Sequence, residues 1–168
     1  MAKPILYILC GLPYCGKSTL TNELVKRFGF EIGSVDKQID KYGMDTDKMS
    51  QKDWNTVYSE AYENVKSNLA RGETVIFDMG HLKKSERNTA RSIAEAFGTN
   101  HMLVYINTPK EEIEKRWEEN EKTKIRGQLS RRVLDMAYSL WEEPAEDENP
   151  ILFNNKMNLD AWIEKNID

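Results

Sequence analysis

Cysteine is scarce in this chain. The two present in 168 residues, Cys10 and Cys15, are too few and too close together for a disulfide framework. Long hydrophobic runs are missing as well: the stretch Ile5–Cys10 is too short for a membrane span, and nothing resembles a signal peptide. There is no basic excess, because 24 Lys and Arg stand against 28 Asp and Glu for a net charge of −4. That balance argues against a dedicated nucleic-acid binder, which carries a basic footprint. Low-complexity tracts and internal repeats are absent. The expectation is a cytoplasmic chain without a membrane partner, residues 1–168 forming one compact domain with room for a sizeable core.

One motif stands out in what is there. Gly11-Leu12-Pro13-Tyr14-Cys15-Gly16-Lys17-Ser18-Thr19 fills the pattern G-x-x-x-x-G-K-[ST]. A strand-length apolar run precedes it, and Leu20, Leu24, Val25 and Phe28 follow at the spacing of one buried helix face. Strand, glycine loop and helix are the context in which this pattern binds phosphate. The glycines let the backbone wrap an anion, and the helix N-terminus adds partial positive charge. The motif predicts a nucleoside triphosphate site in which Lys17 reaches the β- and γ-phosphates and Ser18 ligates Mg²⁺. Cys10 reads as a buried strand-end residue, and Cys15 as a passive position of the loop.

The remaining pattern alternates. Phe30–Val35 reads as a second strand ending at Asp36, followed by a polar stretch to about Lys52. Trp54, Val57, Tyr58, Ala61, Tyr62, Val65 and Leu69 mark an amphipathic helix whose aromatics repeat at packing spacing. Thr74–Phe77 is a third strand ending at Asp78, and Ser85–Phe97 a helix stopped by Gly98. Met102–Ile106 is a fourth strand. Thr108-Pro109-Lys110-Glu111 predicts a capping box with proline at the first helical position. A helix near Arg131–Trp141, a strand at Pro150–Phe153 and a helix at Leu159–Ile163 complete the chain. Alternation of this kind implies an α/β fold, a parallel sheet covered on both faces. Ligands of such sheets bind beyond the strands' carboxyl ends, where Gly11, Asp36 and Asp78 all fall.

Phosphoryl transfer needs a metal, a group that positions the acceptor, and cations for the transferring phosphate. Asp36 is the candidate to orient or deprotonate an acceptor hydroxyl. Asp78 ends an apolar strand in the manner of a Walker-B acid and is a candidate Mg²⁺ holder. No glutamate follows it (the next residues are Met79-Gly80-His81), which leans away from a hydrolytic machine. His81 reads as incidental. Arg116, Arg126, Arg131 and Arg132 flank a polar segment at about 118–130 that can act as a lid, closing over ATP and excluding water. Arg116 lies one helical turn before Asn120 and can face the same cleft as Arg126. Arg131 and Arg132 read as solvated helix ends. Asn155-Lys156-Met157-Asn158 imitates a guanine-reading pattern, but Asn158 replaces its aspartate and no Asp-x-x-Gly follows the third strand. Asn154 and Asn155 fall where an adenine is expected.

Over nearly its whole length the chain resembles a P-loop small kinase, of the group that includes polynucleotide kinase, chloramphenicol phosphotransferase and zeta toxin. The shared features are the loop–helix start, the aspartate after the second strand, the acid ending the third, and the arginine-bearing lid. The resemblance implies a five-stranded parallel sheet of order 2-3-1-4-5. It implies ATP and Mg²⁺, with Lys17 and Ser18 on phosphate and metal, Asp36 as general base, and Arg116 or Arg126 as lid arginine. Many relatives read Asp-x-Thr-Asn where this chain reads Asp78-Met79-Gly80-His81, so acceptor contacts differ. Lys37-Gln38-Ile39 stands where polynucleotide kinases tend to place an arginine. The expected reaction is ATP-dependent phosphorylation of a hydroxyl on a small molecule. A polynucleotide 5′-hydroxyl acceptor and a non-catalytic ATP-binding module are the alternatives.

Overall fold

The computed structural model describes residues 3–167. Five parallel strands, β1 (Ile5–Cys10), β2 (Glu31–Ser34), β3 (Val75–Asp78), β4 (Asn100–Ile106) and β5 (Ile151–Phe153), form one sheet of order β2-β3-β1-β4-β5. Central β1 is fully buried from Leu6 to Cys10, which is why it reads as an unbroken apolar run. Its residues alternate between two cores. Leu6, Ile8 and Cys10 face the side covered by α2 (Val35–Tyr42), α3 (Gln51–Ala70) and α4 (Lys84–Ala96). Tyr7 and Leu9 face α1 (Lys17–Phe28), α5 (Lys110–Thr123), α6 (Arg131–Leu140) and α7 (Leu159–Asn166). This is the expected α/β sandwich, with helices on both faces.

Two local expectations fail for physical reasons. The second strand stops at Ser34, and Asp36 lies in the first turn of α2. Ser34 caps that helix, its Oγ accepting the Lys37 N–H at 3.3 Å, and Gly43 ends it at φ 60°. The polar stretch after Asp36 therefore contains a helix whose buried face is Val35, Gln38 and Ile39. Before α5, Thr108 is no helix cap. Pro109 takes the cap position, and the Thr108 hydroxyl donates to the Cys15 carbonyl at 2.7 Å. The polar segment at about 118–130 is helical at its start: α5 continues to Thr123, and residues 124–130 are non-helical.

Candidate active site

The phosphate loop runs from the end of β1 into α1. Gly11 is fixed there by crowding: a Cβ would come within 2.6 Å of Cys15 Sγ and 3.1 Å of the Ile106 carbonyl. Gly16 has φ 106° and is followed by helical Lys17, the alternation that builds an anion-binding backbone concavity. The first turn of α1 carries no acidic residue, so nothing on it opposes an anion at the helix start. Ser18 and Thr19 are exposed in that turn, Leu12 and Pro13 are half-buried, and Tyr14 and Cys15 are buried. The Lys17 ammonium donates to the carbonyls of Gly11 at 2.9 Å and Leu12 at 3.1 Å. It also lies 3.6 Å from Cys15 Sγ. Three outside contacts brace the loop: Gly11 N–H donates to the Gly80 carbonyl at 3.0 Å, Thr108 holds Cys15, and Arg116 Nη1 donates to the Tyr14 carbonyl at 2.9 Å.

Asp36 and Asp78 reach the same edge from neighbouring elements. Ser34 is paired with Asp78 in the β2–β3 ladder, and Asp36 follows two residues later on α2. Half-buried Asp78 accepts from the Thr21 hydroxyl at 3.2 Å. Burial holds its carboxyl above the ordinary carboxylate range; the Lys17 ammonium opposes this and the Asp36 carboxylate adds to it. Lys17 and Asp36 are thus each within electrostatic reach of Asp78. Asp36 is exposed. Tyr58 and Tyr62 of α3 are half-buried against the sheet, Tyr62 meeting Phe77 edge-on at 5.2 Å. Burial, with smaller contributions from Glu86, Tyr62 and Asp36, pushes the Tyr58 hydroxyl up to about 12, so it stays protonated and able to donate. On the other side of the loop, a cavity of about 400 Å³ lies between Leu12, Tyr105, Asn107, Lys110, Tyr138 and Trp141.

The four arginines have different fates. Arg116 bonds the loop and Glu112, the latter at 3.1 Å. Arg126 lays its guanidinium 4.4 Å from the centre of the Tyr14 ring. Arg131 is held by Glu114 and Asp135, and Arg132 by Asp47. The first two therefore meet the phosphate loop, and the last two are tied elsewhere by acids. His81 is fully buried at φ 45°. Its Nδ1 lies 2.6 Å from the Leu9 carbonyl and 3.2 Å from that of Met79. Nδ1 therefore carries the proton, and the lone pair of Nε2 is buried without a partner among the described residues.

Sequence reasoning missed two features. One is the anchoring of the loop by Thr108. The other is a buried ion cluster in which Arg87 pairs bidentately with Glu148 at 2.9 and 3.0 Å, while Arg91 adds 2.7 Å to the same carboxylate. Arg87 also donates to the His81 carbonyl at 3.0 Å, tying the segment after Asp78 to the segment before β5. A signal for it existed: Arg87 occupies the same helical stripe as Ala90, Ile93 and Ala94.

Comparison with known proteins agrees with this geometry. A family model described as AAA domain matches residues 6–144. Over 114 residues the chain is 29% identical to the L-seryl-tRNA(Sec) kinase of Methanococcus maripaludis, a match covering 62% of this chain and 42% of that protein. The match therefore spans less than half the length of that relative. A sugar kinase of Janibacter sp. HTCC2649 shares the fold with a TM-score of 0.66 at 17% identity, covering 98% of this chain and 92% of the other. A gluconokinase of Sinorhizobium meliloti 1021 does so with a TM-score of 0.61 at 14% identity, covering 98% and 90%. At such identities the structural likeness is one of fold. The matched family model, together with a braced phosphate loop on a 2-3-1-4-5 sheet, establishes that the chain belongs to the AAA domain family.

Proposed function

We propose that this protein is an ATP-dependent kinase that transfers the γ-phosphate to a hydroxyl of a small molecule. The observation that carries the reading is the placement of the phosphate loop after β1, Asp78 at the end of β3 and Asp36 just past β2 at one carboxyl edge of the sheet. A phosphate-binding cation at the same edge as a solvent-accessible carboxylate suits transfer to a hydroxyl brought in from solvent. The loop N–H groups and Lys17 bind the phosphates, and Asp36 accepts the acceptor's proton. Arg116 or Arg126 supplies a cation where charge spreads over the transferring group. Ser18 and Asp78 offer hard oxygen ligands that fit Mg²⁺, the ion held with ATP; bound there, it neutralises charge on the β- and γ-phosphates. No cluster of three or more His, Cys, Asp or Glu side chains suited to a metal occurs among the described residues. That suits an ion held largely by the nucleotide.

Asp36→Asn tests the assignment. Nucleotide affinity should stay within about threefold while transfer falls roughly 10²–10⁴-fold, the usual contribution of a general base. Equal loss of binding and transfer would remove Asp36 from the chemistry.

A second reading, a hydroxyl borne on RNA, is favoured by the relative that is a seryl-tRNA kinase. Against it, Arg131 and Arg132 are already paired with acids. Steep salt dependence of RNA binding would support this second reading; a flat response would dismiss it.

A further inference from the structure

Tyr14 occupies an unusual place in the phosphate loop. Its φ is 62°, the left-handed region that a bulky L residue rarely adopts. Backbone held in such a conformation gathers at functional sites, where surrounding contacts enforce it. Its polar and cation–π contacts run to α5 and to the segment that follows it. The phenol oxygen accepts the Leu129 N–H at 3.2 Å, the carbonyl accepts from Arg116, and the ring carries Arg126.

Arg126 is held from both ends. Asn120, buried on α5, accepts the Arg126 N–H at 3.1 Å through its side-chain oxygen and donates to the Arg126 carbonyl at 3.1 Å. That bracket fixes where the Arg126 side chain departs, and the Tyr14 ring fixes where it ends. Among the described residues the Arg126 guanidinium makes no ion pair and no hydrogen bond, unlike those of Arg116, Arg131 and Arg132. Cation–π attraction holds a guanidinium without using its N–H groups. Arg126 is therefore kept at the phosphate loop with its donors uncommitted.

We propose that Tyr14 is a positioning residue for phosphoryl transfer: its ring holds Arg126 at the phosphate loop so that the guanidinium N–H groups meet the γ-phosphate of a bound triphosphate. This rests on the kinase reading of the site and adds to it which arginine acts and what places it there. Arg116, by contrast, spends its guanidinium on Glu112 and the Tyr14 carbonyl and braces the loop.

Calorimetric titration with MgADP and with a magnesium complex of a non-hydrolysable β,γ-imido ATP analogue tests this. The readout is the ratio of triphosphate to diphosphate affinity. Tyr14→Leu keeps apolar volume and removes the ring; Tyr14→Gly removes it while accepting φ 62° freely, so a folding defect in one is checked by the other. Both should lower the ratio about tenfold, at the strong end of cation–π effects, with ADP affinity moving less than about threefold. Tyr14→Phe, which keeps the ring, should restore most of the ratio. Arg126→Ala should lower the ratio to the same extent, and adding Tyr14→Leu to it should change the ratio no further. An unchanged ratio in Tyr14→Leu and Tyr14→Gly, or full additivity with Arg126→Ala, would overturn the role of Tyr14 and leave the kinase reading standing. Failure of the unaltered protein to bind either nucleotide would overturn both.

Discussion

On the phosphate side of the sheet's carboxyl edge, Lys17 rests on two loop carbonyls, Thr108 holds Cys15, and Arg116 holds Tyr14. Across Asp78, on the α2–α3 side, Asp36 is exposed and its carboxylate makes no ion pair or side-chain hydrogen bond among the described residues. The first region is preorganised by contacts within the protein. The second presents reactive groups with few internal obligations. Triphosphates have one geometry to recognise, and a loop shaped in advance recognises it. An acceptor is particular to its enzyme, and its contacts are completed by the molecule that arrives. On the proposed kinase reading, the contrast explains why the nucleotide site is legible in this molecule while the acceptor is not.

Substitutions can break the comparison at several strengths. Lys17→Ala should have the largest effect, removing the loop's only side-chain cation. Nucleotide binding and transfer should fall together, by orders of magnitude, as followed by calorimetry and phosphate release. Loss of transfer alone would make the phosphate side no more preorganised than the acceptor side.

Next in size is Glu148→Ala, which strips Arg87 of its bidentate partner in a site where both side chains are almost fully buried. Stability should drop by about 3–5 kcal/mol, read from a denaturant midpoint. A drop below about 1 kcal/mol, the scale of an exposed pair, would show that the cluster does not anchor the segment after Asp78.

A pH titration of stability reports on the same segment. Burial pushes His81 down to about 4, against 6.5 for an ordinary imidazole. Between those values the unfolded chain binds a proton that the folded chain refuses. Stability is therefore full above about pH 6.5 and falls as pH drops toward 4, by on the order of 3 kcal/mol if this group acts alone. His81→Asn, whose side chain tolerates φ 45°, should flatten that slope. A slope unchanged by this substitution would place the titrating group elsewhere.

How far the sequence reveals this molecule follows from the range of each contact. The strand–loop–helix beginning at Ile5 is local, and its motif, apolar run and helix face sit within a couple of dozen residues. The order of the sheet is legible only through resemblance, because parallel pairing such as Ser34 with Asp78 joins residues far apart. The helix α2 was readable and was obscured by its charge: Ser34 and Gly43 are its ordinary boundary residues. Thr108 looked like a cap because caps and loop anchors use the same hydroxyl. The Tyr14–Arg126 contact and the Arg87–Glu148 pair span over 60 residues each, and no spacing announces such a meeting. Only an arginine on an apolar stripe hints at the second.

The most direct test of small-molecule kinase activity is ATP consumption with Mg²⁺, in buffer alone and with a deproteinised cell metabolite extract, using Lys17→Ala as the blank. Extract should raise consumption sharply and yield a new phosphorylated small molecule. Equal consumption with and without extract would identify a hydrolase and contradict the kinase reading.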